Sequence, residues 1–337
     1  MNETGNGTQI YSPPHEYIHV IRPSIVGILA ALGLIGNALT IVVLKYDPQK
    51  STPNFFMMML AIVDKILLII YPYEYVFSDL VPWVRSPTMD AVTMYMVHVF
   101  KAVEIYIIIL ISVDRFLALK FPLKSVSICR VSKARKALLV CFFFCIILNL
   151  PYLVVYLYAP LTGWQKTLNS FYEKGIREFL VYIGPFIVIT YLNGCLIFQL
   201  RKGSSTMFAE NTEVEPRKLK QNQRQQRHRN VSVTLLWVVI CFLVFETPVY
   251  IFMNYFPIER TLYWFIAYNV MIYLSLLNFS NNFIIYGLVG NRFRNQLKDR
   301  LSKMCPCYHK KNATLLPKYK LEDNTNRDYA ENGVAAV

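Results

Sequence analysis

The amino-acid sequence predicts an all-α membrane protein: a seven-transmembrane helix bundle with a short amphipathic eighth helix. Three observations carry that reading. Hydrophobic residues make up 55% of the 337 and charged residues only 17%, whereas a soluble domain is about one quarter charged. Apolar runs of about 20 residues or more, enough to cross a bilayer, recur near 21–45, 53–77, 91–120, 134–158, 176–201, 231–255 and 262–288. These runs are continuous rather than alternating, which excludes a membrane β-barrel.

Residues 1–20 are polar, contain Pro13 and Pro14, and lack the charged-then-apolar pattern of a cleaved signal peptide. They form an outer tail in which Asn2 and Asn6 head Asn-x-Thr sequons, acceptors for glycans on that side of the membrane. Residues 21–289 are one transmembrane domain, because seven spans leave room for short loops only. Residues 290–304 follow as an amphipathic helix, "GNRFRNQLKDRLSKM", and 305–337 as a polar tail. The tail begins with Cys305 and Cys307, which suit S-palmitoylation beside a membrane-lying helix. The other five cysteines lie in helices or at their inner ends, so the chain has no disulfide framework.

Basic residues set the orientation. Segment 120–136 carries Lys120, Lys124, Arg130, Lys133, Arg135 and Lys136, and segment 201–229 adds eight more. The alternate loops 78–90, 159–175 and 256–261 are nearly balanced. The basic loops face the cytoplasm, which puts the N-terminus outside and the C-terminus inside a plasma-membrane protein. The net charge of +14 thus reflects topology and contact with anionic lipid, with no nucleic-acid patch.

A helix rises about 1.5 Å per residue, which places buried polar residues by depth. On the third span Glu104 lies about 16 Å, and Lys101 about 21 Å, above Arg115 on the same face. Asp64 lies about 15 Å above Asn54, Asn37 about 12 Å above Lys45, and Glu246 about 22 Å above Val231. Asn278 and Asn282 sit about 12–20 Å above Arg292. Two layers follow: a lower one of Asn37, Asp64, Glu104, Asn278 and Asn282, and an upper one of Lys101 and Glu246. Intramembrane ionisable groups face one another or enclosed water and are functional by default.

Over residues 20–305 these features resemble the rhodopsin-like (class A) G-protein-coupled receptors. "LIGNALTIVVL" is similar to the first-helix Gly-Asn signature and "MLAIVD" to the second-helix Leu-Ala-x-x-Asp. "ISVDRFLALKFPLK" resembles the Asp-Arg-Tyr motif, with Phe116 in place of the tyrosine. Pro151, Pro185 and Pro248 sit where the family's fourth, fifth and sixth helices kink. "LNFSNNFIIYGLVGNRFR" is similar to Asn-Pro-x-x-Tyr plus the eighth helix, with Phe283 replacing the proline. The style of these motifs is similar to invertebrate FMRFamide-type neuropeptide receptors. Val97 stands where amine receptors carry an aspartate and Leu276 where opsins carry the retinal lysine. The resemblance therefore implies neither a biogenic amine nor retinal. Asp90 replaces the family's outer cysteine, Cys141 the fourth-helix tryptophan and Glu246 the sixth-helix switch tryptophan.

The resemblance implies a non-enzymatic receptor whose partners are an extracellular ligand, a heterotrimeric G protein and membrane lipids. Asp114, Arg115, Asn193 and Tyr286 would form the G-protein activation switch. Asp64, Glu104, Asn278 and Asn282 resemble the family's sodium site with one extra carboxylate. Two carboxylates in one cavity do not both ionise cheaply, so the expectation is a shared proton or a Na+ ion, the alternative being a hydrogen-bonded network with no ion. Lys101 and Glu246 are expected to pair at the pocket floor, since a lone buried charge is costly; the alternative is Lys101 pairing with Glu104 alone and a neutral Glu246. Tyr95, His98, Tyr250, Asn254, Tyr268 and Tyr273 are the expected ligand-pocket lining, suited to a short amidated neuropeptide. A proton-sensing receptor of the same fold is the nearest alternative. A transporter is further off, because no inverted repeat is visible.

Overall fold

The computed structural model describes residues 14, 16–48, 50–76, 80, 86–158, 170–207, 216–257 and 261–304. Seven of its helices are long and apolar enough to cross a membrane: Tyr17–Lys45, Thr52–Tyr75, Pro87–Lys120, Val131–Val155, Tyr172–Arg201, Arg229–Tyr255 and Leu262–Val289. They are the first to seventh spans below. The eighth helix is Asn291–Met304. Asn2, Asn6, Cys305 and Cys307 lie outside the described residues.

The inner ends of the first and third spans fall where the hydropathy of the sequence puts them, at Lys45 and Lys120. Starts move outward because polar residues that a hydropathy window ignores still continue a helix. The first span begins at Tyr17, inside the expected tail, with a π-wound turn Tyr17–Ile21. The third begins at Pro87, where Ser86 caps the helix by accepting from the Met89 N–H and proline suits the first turn. The sixth span is the end of a longer helix, Pro216–Tyr255. Its first turns are Lys, Arg and Gln, which are good helix formers outside the bilayer too. A short helix, Pro122–Ile128, in the second inner loop has no counterpart in the sequence reading. The outer end of the fifth span is also unexpected: Tyr172–Arg177 and Phe179–Ile183 are wound as π-helix. This winding is rare and concentrates at functional sites.

The third span is the hub of the bundle, packing on the second, fourth, fifth and sixth, and the first closes the ring against the second and seventh. That closure depends on two glycines. A Cβ at Gly33 would lie 2.3 Å from Ser280 Oγ and 2.7 Å from Leu68 Cδ1, and one at Gly36 would lie 3.0 Å from the Phe283 Cβ. The bulk of Phe283, which stands where the family has proline, is thus accommodated by a residue with no side chain. Next to Gly36, Asn37 donates to the backbone carbonyl of Phe279 at 2.8 Å and so ties the first span to the seventh. The fourth span lies at the other extreme. Leu139, Val140, Phe143 and Ile147 are all exposed, the surface a helix turns to lipid when it packs on one side only.

Candidate functional site: two polar layers between the helices

At the inner end of the third span, Asp114 and Arg115 are both buried and joined as an ion pair. Arg115 Nε donates to Asp114 Oδ2 at 3.1 Å, and Nη2 reaches the same oxygen. One turn up the span, Asn193 donates to Ser112 Oγ at 2.9 Å and to the carbonyl of Ile189 at 2.8 Å. Asn193 thus fastens the fifth span to the third, and Arg115 is not among its partners. Tyr286 is buried with its ring 5.7 Å from that of Phe293, and its hydroxyl has no hydrogen-bond partner among the described residues. The four residues of the expected switch therefore occupy one end of the bundle without forming one bonded cluster. Beside them the Cys129 thiol, in the loop after the third span, donates to the backbone carbonyl of Asp114. Burial and then the Asp114 charge push that thiol up to about 12, so it stays a donor at neutral pH.

The lower layer holds two carboxyl–amide pairs. Asn282 donates to Asp64 Oδ2 at 2.7 Å, and Asn278 donates to Glu104 Oε1 at 2.6 Å. The second, third and seventh spans are joined there, and Glu104 lies within coulombic range of Asp64, Glu246 and Lys101. Asp64 Oδ1 and Asn37 Oδ1 are buried with no protein partner among the described residues. Asn278 and Asn282 spend NH2 groups on carboxylates and Asn37 spends one on the Phe279 carbonyl, leaving the amide oxygens as acceptors. An all-oxygen donor set with an orphaned carboxylate oxygen fits a hard monovalent cation or a proton.

In the upper layer Lys101 Nζ lies 3.1 Å from Glu246 Oε2, bridging the third and sixth spans with both side chains nearly buried. Aromatic faces complete the lysine's surroundings, with the Tyr71 ring centroid at 5.3 Å and that of Phe279 at 5.8 Å. Tyr71 is held in turn by its hydroxyl bond to Ser275 Oγ at 3.2 Å. Glu104 sits one turn below, bonded to Asn278, and forms no ion pair with Lys101.

The six residues read as ligand-pocket lining are not brought together as one wall. Tyr95 turns to the fourth span and donates to the carbonyl of Ile146 at 3.1 Å. Asn254 is exposed and bonds to its own helix at Tyr250 O. Tyr273 meets Tyr17 hydroxyl to hydroxyl at 3.2 Å, and Tyr268 stacks on Trp264 at 5.1 Å. His98 and Tyr250 join polar groups of the fifth span that sequence reading missed. His98 Nδ1 is 2.9 Å from Arg177 Nη2. Tyr250 donates to Glu178, as does Tyr255, and stacks on Tyr182 at 4.4 Å. The available signal was a charged dipeptide, Arg177-Glu178, eight and seven residues before Pro185. Placing the start of the span at 176 made it look like an ordinary helix end.

A polar core bridged by the third span, within seven helices of membrane length, defines a class of protein: a multi-pass helical membrane protein. The sequence profile of the seven-transmembrane receptor (rhodopsin) family matches residues 36–286, and the chain belongs to that family, which is not enzymatic. Among individual relatives, the FMRFamide receptor of Drosophila melanogaster is 24% identical over 306 residues, covering 80% of this chain and 52% of that protein. The chain thus spans about half the length of that relative. Somatostatin receptor type 1 of Rattus norvegicus is 23% identical, over 81% of this chain and 70% of its own. Melanin-concentrating hormone receptor 1 of Macaca mulatta is 26% identical over 321 residues, 87% of this chain and 85% of its own.

Proposed function

We propose that the chain is a plasma-membrane receptor, N-terminus outside, that answers a short extracellular peptide and activates a heterotrimeric G protein. The observation that carries this reading is the Lys101–Glu246 bridge, 3.1 Å long, between the third and sixth spans. It lies about 21 Å above the Asp114–Arg115 pair on the same third helix. A ligand that bound more tightly when this bridge was open would shift the population toward a displaced sixth helix. Arg115 would then leave Asp114 for the G protein, with Asn193 and Tyr286 repacking beside it. The names of the relatives, receptors for FMRFamide, somatostatin and melanin-concentrating hormone, support a peptide ligand.

Asp64, Glu104, Asn278 and Asn282 would hold a Na+ ion or one shared proton. Either would neutralise part of the lower layer's charge and favour the resting packing of the second, third and seventh spans. A second reading, a proton-sensing receptor, rests on that same pair of carboxyls.

The test is expression with a promiscuous G protein and challenge with FMRFamide, somatostatin-type and melanin-concentrating-hormone-type peptides and a library of short amidated peptides. The expected result is a saturable calcium signal from at least one peptide, absent from cells without the receptor. Silence to every peptide combined with a signal on acidification alone would replace this reading with the proton sensor.

A further inference from the structure

Arg177 is a buried cation that the proposed function leaves without a role. It is 7% exposed, in the outer half of the fifth span. The inward cations of the third span have carboxylates: Lys101 has Glu246 and Arg115 has Asp114. Arg177 has only neutral partners among the described residues. Its Nε donates to Asn149 Oδ1 at 3.1 Å, its Nη2 meets His98 Nδ1 at 2.9 Å, and its guanidinium lies 5.3 Å from the Tyr152 ring centroid. A guanidinium only donates, so His98 Nδ1 is an acceptor and the imidazole is neutral, with its proton on Nε2. Tyr152 packs edge-on against the same imidazole at 4.4 Å. Asn149 is fixed by its own bond to the carbonyl of Cys145 at 2.8 Å.

The cradle orients the guanidinium without neutralising it. Two of its five N–H groups are spent, that of Nε and one on Nη2, which leaves both on Nη1 and the second on Nη2 to meet a carboxylate end-on. Holding a buried charge with no counter-ion is costly, and an anion entering from outside would recover that cost. The π-wound segment that carries Arg177 points the same way, because such winding marks functional positions in helices. His98 is one turn above Lys101, so an anion at Arg177 would approach the lysine of the floor bridge from above.

We propose that Arg177, oriented by Asn149, His98 and Tyr152, is the docking point for a carboxylate of the extracellular ligand, from an acidic side chain or a free C-terminus. This deepens the reading of a ligand-operated receptor and rests on it. A carboxylate at Arg177 competes with Glu246 for Lys101 and so connects ligand capture to the bridge between the third and sixth spans.

The test uses the full-length purified receptor and benzoate as probe, with benzamide as its uncharged isostere and chloride as a salt control. At a tenfold excess over its Kd, benzoate is expected to raise the Tm by about 2 °C. Arg177→Lys should retain most of that rise and Arg177→Gln none. Asn149→Asp keeps the cation but gives it an internal carboxylate. It should fold even if Arg177→Gln does not, and it should be deaf to benzoate. Equal shifts with benzamide, an undiminished benzoate shift in Asn149→Asp, or no shift in the wild type would overturn the proposal and leave Arg177 a structural residue. Two tetrapeptide sets then separate the sources in signalling assays: amidated peptides with one aspartate, and free acids without one. A response to the first assigns the side chain and a response to the second the C-terminus, each lost in Asn149→Asp. If both sets are silent while the benzoate shift stands, the peptide reading fails and the carboxylate site survives.

Discussion

The outer and inner halves of the bundle keep their charges in different ways. In the outer half the charged contacts run between helices: Lys101 to Glu246 across the third and sixth spans, Arg177 to the third and fourth, Glu178 to Tyr250 and Tyr255 on the sixth. In the inner half the ion pair inside the bundle joins sequence neighbours, Asp114 and Arg115. A second pair at its edge joins Asp47 of the first inner loop to Arg292 of the eighth helix, and the carboxyl bonds of the lower layer go to neutral amides. An interhelical ion pair breaks when helices separate, whereas a pair within one helix survives any rigid motion. Under the proposed function the outer half would register movement, and the inner arginine would have to be drawn from its aspartate by an incoming partner.

The largest expected effect comes from breaking the outer pair. Lys101→Glu or Glu246→Lys alone buries two like charges face to face, and the loss of one partner from such a pair costs about 3–5 kcal/mol. Surface expression should collapse in each single variant and recover in the double exchange, measured by antibody labelling of intact cells. No recovery would mean that the two side chains do not depend on each other. Next comes the seam that closes the ring. Gly33→Ala forces a methyl onto Ser280 and Leu68, an overpacking cost of about 1–3 kcal/mol, and should lower the Tm by several degrees.

Asp114→Asn leaves Arg115 buried without its carboxylate, so it should lower stability and, in the fraction that reaches the surface, raise ligand-independent signalling. An unchanged basal signal would show that the inner pair restrains nothing. The lower layer is subtler. Glu104→Ser removes one carboxyl, and agonist affinity should become sensitive to sodium and change its pH profile; if neither alters, no proton or ion is shared there. The smallest effect belongs to Asp47, which accepts from Asn54 at 2.6 Å and from Arg292 at the start of the eighth helix. Arg292 is partly exposed, so Arg292→Gln should cost about 1 kcal/mol or less.

Much of this arrangement was legible in the chain. Apolar run length located all seven spans, and counting 1.5 Å per residue brought Lys101 level with Glu246 and Asp64 near Glu104 before any coordinates. Depth is a one-dimensional quantity that the sequence contains. Rotation about the helix axis is not, and the unread parts depend on it. Which side of the third helix Tyr95 faces depends on the packing of the fourth, where it meets the Ile146 carbonyl. Arg177 lies buried on the π-wound outer part of the fifth span, and no residue pattern announces π-winding. The sixth helix extends well beyond its apolar stretch because lysine, arginine and glutamine sustain a helix in water, where hydropathy gives no signal.

That extension has a mechanical consequence. Pro216–Tyr255 is one rod with Pro248 inside it, and a proline cannot donate the backbone bond to the carbonyl four residues earlier. Glu246 is two residues from this weak point, and about 45 Å of helix runs from it to Pro216. A tilt of about 10° at the glutamate would carry the far end sideways by about 8 Å. The rod is a lever with its charge pair beside the fulcrum, so sub-ångström adjustments at Lys101 become displacements the size of a side chain in the cytoplasm.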